Sequence, residues 1–381
     1  MEMENVIQNM KQKSVALVSG GAGFIGGHLV DSLIDKGYRV RVLDNLSAPT
    51  HNGKLPDWFN KKAEFMKGDV RKKKDWIRAL RGVDYVFHLA SYMDYHLDFS
   101  KYFEVNVKST ALLYEIVVQN KLPVKKIIVA SSQSPYGEGK YLCTKHGVFY
   151  AEPRSESQLT KHQWEVVCPR DNKIAKILPE EETDEFRPQI PYAISKVASE
   201  KLCLTLGKTY RIPTVALRYS IVQGSRQSFR HFYSGALRDF CVRALAGLPI
   251  VMQEDAGQIR DYVNVHDVVD AHLLVLRNKK ADYQVFNVGS GKETRVIELA
   301  RTVCRVTGTP SKLEPTGEFR INSPRNSKMN IDKLKKLGWL PKRTLEDSVR
   351  EYVNWVRSYP EAINYWKKTY GTMRRENILK R

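Results

Sequence analysis

The stretch Ser14 to Val30, SVALVSGGAGFIGGHLV, constrains this chain most: an apolar run meets glycines at 20, 23 and 26 and passes straight into a helical pattern. Gly20 permits a tight turn, Gly23 lets phosphates approach the main chain, and Gly26 lets a helix pack closely on the strand. Three glycines alone are weak evidence, because such a turn also serves simply to close a strand onto a helix. Here the next apolar run, YRVRVLD, ends at Asp44, where a carboxylate can take both hydroxyls of an adenosine ribose. A dinucleotide site follows from the two together. No arginine directly follows Asp44, so NAD is expected rather than NADP.

Strand-like and helical stretches then alternate along the chain. Strands are expected at Val15 to Ser19, Arg39 to Leu43, Glu64 to Lys67, Tyr85 to Leu89, Lys126 to Ala130, Thr214 to Arg218 and Gln284 to Val288. Between the first two, Phe24 to Lys36 carries apolar residues at 25, 29, 30, 33 and 34, the spacing of a helix with one buried face. This order predicts an α/β fold, a doubly wound parallel sheet of the Rossmann type with a smaller C-terminal substrate-binding lobe. The boundaries expected are 14–220 for the cofactor domain, with an insert at about 139–188, and 221–381 mainly for the lobe, with 261–290 returning to the sheet.

Composition removes several alternatives. No run of about eighteen apolar residues occurs, so no membrane span is expected. The first thirteen residues lack the apolar centre of a secretory signal and read as a frayed leader. Five cysteines in 381 residues make no disulfide framework, which favours a reducing, cytoplasmic setting. The net charge of +20 invites a nucleic-acid partner. The excess is spread along the chain, however, concentrating only at Lys61 to Arg81 and in the tail GTMRRENILKR, so a basic surface serving an anionic substrate is expected instead.

Chemistry enters at PYAISK. Pro191 suits the first turn of a helix, and Tyr192 and Lys196, four apart, then share one face. A phenol with a pKa of about 10 is a poor base at neutral pH, but an adjacent ammonium and a positive nicotinamide ring both favour the phenolate. Tyr-x-x-x-Lys is ordinarily a surface pair. Behind a dinucleotide fingerprint and a strand ending in Ser131, Ser132 and Ser134, it reads as a catalytic set, in which a hydroxyl holds the substrate oxygen while tyrosine moves its proton. The alternative for each serine is a turn cap.

Taken together, GGAGFIG, DNLS at Asp44 to Ser47, GDVR at Gly68 to Arg71, HLAS at His88 to Ser91, Asn106-Val107, ASSQSPYG, YAISK, RDYVNVHDVV and FNVGSG resemble the extended short-chain dehydrogenase/reductases that act on nucleotide-sugars. The resemblance runs from Val15 to about Trp355. It implies NAD held tightly by Gly20, Gly23, Phe24, Ile25, Gly26, Asp44, Asn45, Asp69, Val70, Leu89, Ala90, Ser91, Asn106, Ser131, Tyr192 and Lys196. It implies Ser132, Tyr192 and Lys196 as the catalytic set, a dTDP- or UDP-linked sugar near Ser134, Arg226 and Arg260, and a homodimer.

The same resemblance narrows the reaction. Members that dehydrate carry an Asp-Glu pair after the catalytic hydroxyl, and decarboxylases a glutamate; here those positions are Gln133 and Ser134, which do no acid-base work near neutral pH. Epimerisation at carbon 4 through a 4-keto sugar is therefore expected, as in the dTDP-L-rhamnose and UDP-glucose 4-epimerase-like members. A 4-ketosugar reductase or sugar 4-dehydrogenase would use the same residues. A non-catalytic, basic RNA-binding member would have a damaged catalytic set, and this one is intact. The chain departs from the family at Ser220-Ile221, where Phe-Asn is usual, and at Gln223 to Arg226, where Tyr-Gly-Pro-Arg is usual.

From Ser132 to Tyr192 the chain runs for 60 residues, 192 − 132, so the intervening loop must fold back to bring the two together. That loop contains Cys143 with His146 and Cys168 with Asp171, two pairs at metal-ligand spacing. Tetrahedral zinc accepts Cys, His and Asp, though Asp is uncommon in structural sites. The insert resembles a degenerate zinc ribbon, and both a zinc site and a remnant loop that has lost its metal remain open on sequence.

Overall fold

The side chains of β1 (Val15–Ser19) alternate, Ala16 and Val18 entering one core and Leu17 another. An apolar residue at every position of a two-residue repeat marks a strand covered on both faces. The computed structural model describes residues 14–94, 96–231, 235–365 and 378–380. The expected leader at 1–13, and all but 378–380 of the basic tail, lie outside the described residues.

Gly20, with a left-handed φ of +74°, turns the chain from β1 toward helix α1 (Phe24–Asp35). There follow β2 (Arg39–Asp44), β3 (Glu64–Lys67), α2 (Lys73–Ala79), β4 (Tyr85–His88), a helical stretch from Phe99 into α3 (Ser109–Gln119), and β5 (Lys126–Ser132). Next comes the insert, an antiparallel sheet of β6 (Lys140–Cys143), β7 (Gly147–Tyr150) and β8 (Lys176–Ile177), with β6 in the middle. At its base the Arg187 amide donates to the Pro135 carbonyl at 2.9 Å, which returns the chain beside its point of departure.

Helix α4 (Pro191–Thr209) and β9 (Thr214–Tyr219) resume the main pattern. The second lobe contains β10 (Ile221–Gln223), α5 (Gly235–Leu245), β11 (Ile250–Met252), β12 (Ile259–Arg260) and β13 (Tyr262–Asn264). Helix α6 (Val265–Arg277) then packs against α1, β14 (Gln284–Val288) rejoins the main sheet, and α7 (Val296–Thr307) and α8 (Leu345–Val356) complete the lobe.

All seven strands expected from the sequence form one parallel sheet, ordered β14-β9-β5-β4-β1-β2-β3. Its order reverses between β1 and β4, where a doubly wound sheet opens a crevice at its carboxyl edge. Helices α1 and α6 cover one face around Leu29, Leu33 and Val268; α2, α3 and α4 cover the other around Trp76, Leu113 and Cys203. A third core, around Phe240, Leu299 and Tyr352, belongs to α5, α7 and α8. No helix among the described residues is long and apolar enough to cross a membrane.

Candidate active site

The crevice at the β1–β4 switch is shaped by the absence of side chains. A Cβ on Gly20 would lie 2.8 Å from the Ala90 amide nitrogen, and one on Gly26 would lie 2.2 Å from the Gly20 carbonyl oxygen. A Cβ on Gly23 would meet only that same oxygen, at 3.2 Å. Gly20 and Gly26 therefore permit close packing, while Gly23 leaves space in front of α1. Gly23 is the N-cap, without a side chain to satisfy the first amides, and Phe24 and Ile25 open the helix. Uncapped amides at a helix N-terminus suit phosphate oxygens.

Around this cradle, Asp44 accepts from the Ala22 amide at 3.1 Å and the Leu46 amide at 2.9 Å, which fixes its carboxylate at the end of β2. Asn45 hydrogen-bonds Asp69. Burial works to raise the Asp69 carboxyl, but hydrogen bonds from Arg71 hold it below the usual range. Val70 is buried beside it, and on the next strand the Leu89 amide donates to the Ser19 carbonyl. Asn106 accepts from the Ser91 hydroxyl at 3.0 Å and donates to Ser195 Oγ at 2.9 Å, tying the loop after β4 to α4. The glycine turn, the open helix end and the anchored Asp44 are together a cradle that fits a dinucleotide.

β5 is buried at all seven positions and delivers Ser132 to this edge. The Ser132 hydroxyl hydrogen-bonds the Tyr192 phenol and accepts from the Ser134 amide at 3.1 Å. Lys196, one turn beyond Tyr192, donates to the Ala130 carbonyl at 2.9 Å, with its ammonium 5.8 Å from the Tyr192 ring centroid. Burial pushes the Tyr192 phenol up to about 12, the Ser132 hydrogen bond pulling the other way, and burial lowers Lys196 to about 8. The sequence led us to expect the ammonium to favour the phenolate. Among the chain's own groups desolvation wins, and Lys196 donates to a main-chain carbonyl.

Behind this edge lies a buried network that the sequence reading did not single out. Glu200 receives two hydrogen bonds from Arg218, at 2.9 and 2.7 Å, and one from the Ser131 hydroxyl at 2.6 Å. Arg218 also donates to Tyr136 Oη, which donates to Asn287 on β14. Ser131 thus faces this pair. The available signal was spacing: Tyr192, Lys196 and Glu200 recur every four residues on one helix.

On the lobe side, Gln133 accepts from Ser327 Oγ at 2.8 Å, and Ser134 opens a short helical turn. Arg226 pairs with Asp31 at 2.7 Å and lies 4.7 Å over the Trp58 ring. Arg260 donates to the carbonyls of Ile259, Arg325 and Pro324. Arg325, which the sequence did not flag, is buried among Glu165, Glu254 and Asp255. In the insert, Cys143, His146, Cys168 and Asp171 converge, with one potential ligand atom of each within 4.8 Å of the others.

Comparison with known proteins adds the family. The family model described as "NAD dependent epimerase/dehydratase family" matches residues 16–289. A dTDP-L-rhamnose 4-epimerase of Burkholderia thailandensis is 29% identical over 362 residues, covering 93% of this chain and 98% of the relative. The crystal structure of a UDP-glucose 4-epimerase from Thermotoga maritima, with UDP-glucose, superposes with a TM-score of 0.73 at 31% identity, over 90% of this chain and 99% of that one. A UDP-glucose 4-epimerase of Thermus thermophilus in complex with NAD gives 0.71 at 30% identity, over 91% and 99%.

Proposed function

The chain belongs to the NAD-dependent epimerase/dehydratase family, and from that premise we propose that it inverts carbon 4 of a sugar carried on a nucleoside diphosphate, with Tyr192 as proton acceptor. The observation that carries this reading is the meeting of Ser132, Tyr192 and Lys196 beside the glycine cradle, with the non-acidic Gln133 next to Ser132. Dehydration or decarboxylation needs a further acid or base at that point, and Gln133 is instead engaged with Ser327.

Gly20, Gly23, Gly26 and Asp44 would hold NAD, which supplies reversible hydride acceptance when bound. The side chains handle the proton. Ser132 holds the 4-oxygen of the sugar, and Tyr192, as phenolate, takes the hydroxyl proton while carbon 4 becomes a ketone. The keto sugar turns over, Tyr192 returns the proton to the same oxygen, and Ser132 holds that oxygen on either face. A phenol at about 12 is protonated at neutral pH, so the positive charge that favours the phenolate must arrive with the ligand. Lys196, buried beside it, adds a charge whose proton is weakly held at about 8.

The test is to incubate the purified protein, without added cofactor, with UDP-, dTDP- and GDP-sugars and follow them by NMR. Appearance of the C4 stereoisomer is expected. Conversion that consumes NAD(H) one for one would overturn epimerisation in favour of a dehydrogenase or reductase.

A further inference from the structure

The insert between Pro135 and Arg187 has only a small apolar core of its own. Its buried apolar cluster is Tyr141, Ala151, Val166, Ala175 and Ile177, with Phe149 and Ile259 packed against it. A core of that size does not fold on hydrophobic burial alone, and small units of this kind add a disulfide or a metal. Cys143 and Cys168 are buried and free, so no disulfide serves here.

The two turns of the insert instead point four donor groups at one spot. Cys143 ends β6, and His146 lies in the turn before β7. Cys168 and Asp171 lie on a second turn, closed by the Asn172 amide donating to the Cys168 carbonyl at 2.9 Å. His146 Nδ1 is 3.4 Å from Cys143 Sγ, 3.3 Å from Cys168 Sγ and 3.7 Å from Asp171 Oδ2. The edges of a tetrahedron are about 1.6 times its radius, so zinc with N, O and S ligands at their usual bond lengths requires donor separations of about 3.3–3.8 Å. The His146 distances fall in that range.

Two further observations point to a cation. Asp171 Oδ1 accepts from the Lys173 amide at 3.2 Å, while on the side of the cluster the carboxylate meets only the Cys168 thiol and, at 3.7 Å, His146 Nδ1. The amides of Lys145 and His146 hydrogen-bond the Cys143 sulfur, and those of Arg170 and Asp171 the Cys168 sulfur. Each turn thus wraps main-chain N–H groups around its sulfur, the outer-shell arrangement that orients thiolate ligands.

We propose that Cys143, His146, Cys168 and Asp171 bind one zinc ion in a closed tetrahedral site that staples the insert. Two thiolates, an imidazole and a carboxylate suit a d¹⁰ ion with no geometric preference of its own, and four protein ligands leave no position for substrate. The role is structural. The ion holds the β6–β7 hairpin to the 168–171 turn, on an insert that also presents Arg154 to Glu254 and Glu165 to Arg325 across the lobe. The proposal is independent of the reaction assigned above.

The test is metal analysis of the full-length protein, purified without chelator and then exposed to zinc and desalted. About one zinc per chain is expected, with Asp171→Asn releasing it to a competing chelator at least roughly tenfold more readily and Asp171→Cys holding it more tightly. Cobalt exchanged into the wild-type protein should give the tetrahedral visible spectrum and thiolate charge transfer, and both should weaken in Cys168→Ser. Asp171→Asn is nearly isosteric, and its circular dichroism checks that it folds. Wild-type protein that retains no zinc after exposure and desalting would overturn the proposal, as would zinc bound equally well by Asp171→Asn and Cys168→Ser.

Discussion

The Lys196 ammonium reaches the Ala130 carbonyl at 2.9 Å, two residues before Ser132 on the same strand. Helix α4 and strand β5 are thereby pinned together at the point where Tyr192 and Ser132 meet. Lysine in this arrangement is both a charge and a brace.

Tyr192→Phe should remove the proton acceptor and leave the fold, since only Oη is deleted. Turnover of the nucleotide-sugar is expected to fall by roughly 10²–10⁴-fold while NAD stays bound. Single-turnover NMR together with release of cofactor on denaturation measures both. Unchanged turnover would remove Tyr192 from the mechanism.

Gly26→Ala sets a methyl group 2.2 Å from the Gly20 carbonyl oxygen and 2.8 Å from the Gly21 Cα, neither of which can swing aside. Loss of about 1–3 kcal/mol and of co-purifying NAD is expected. Gly37→Ala is the control: it meets nothing within 4 Å but has a φ of +85°, so it should cost about 1–2 kcal/mol and keep the cofactor. Chemical denaturation and absorbance of the purified variants compare the two.

Glu200 and Arg218 are each 3% exposed as side chains, and the pair is doubly hydrogen-bonded. Glu200→Gln would leave the guanidinium buried against a neutral amide. It should cost about 3–5 kcal/mol, of which Glu200→Gln with Arg218→Met recovers a part. Urea unfolding of the two single variants and the double variant reads the coupling, and additive losses would show that the pair is not a unit.

Glu351 carries a pH signature. Burial works to raise its carboxyl, but hydrogen bonds from His266, Ser225 and Asn264 bring it from 4.5 down to about 2. Because the folded value lies below the unfolded one, this stabilisation is complete above pH 4.5 and is lost as pH falls from there toward 2. Glu351→Gln should cost on the order of 3 kcal/mol at neutral pH and flatten the acid limb of the stability curve. Melting curves at stepped pH that stay parallel for the two proteins would contradict this.

The middle of the sheet was legible in the sequence because its strands are covered on both faces and read as apolar runs between turn residues, as in β5 and β9. The glycine cradle and the Tyr192–Lys196 pair were legible because local geometry fixes their spacing. Glu200 shares the four-residue spacing of Tyr192 and Lys196, but its pairing with Arg218 was not legible, since nothing in a sequence links a helix residue to its partner on a strand. The engagement of Arg260 with three carbonyls was equally hidden, because an arginine in a sequence does not reveal which acceptors the fold will bring to it. The pKa of Tyr192 is set by how deeply the fold buries the phenol, which spacing leaves undetermined.

β14 joins the edge of the main sheet only after the chain has passed through the lobe, pairing Gln284–Val288 with β9. The lobe is therefore moored at two points and cannot be shed as a tail. A fragment ending near residue 220 would expose the whole of β9 as a sticky, unpaired rim, and would aggregate where the intact chain does not. Transplanting a lobe between relatives succeeds only if its returning strand travels with it, so the unit to exchange runs from β10 through β14 to α8.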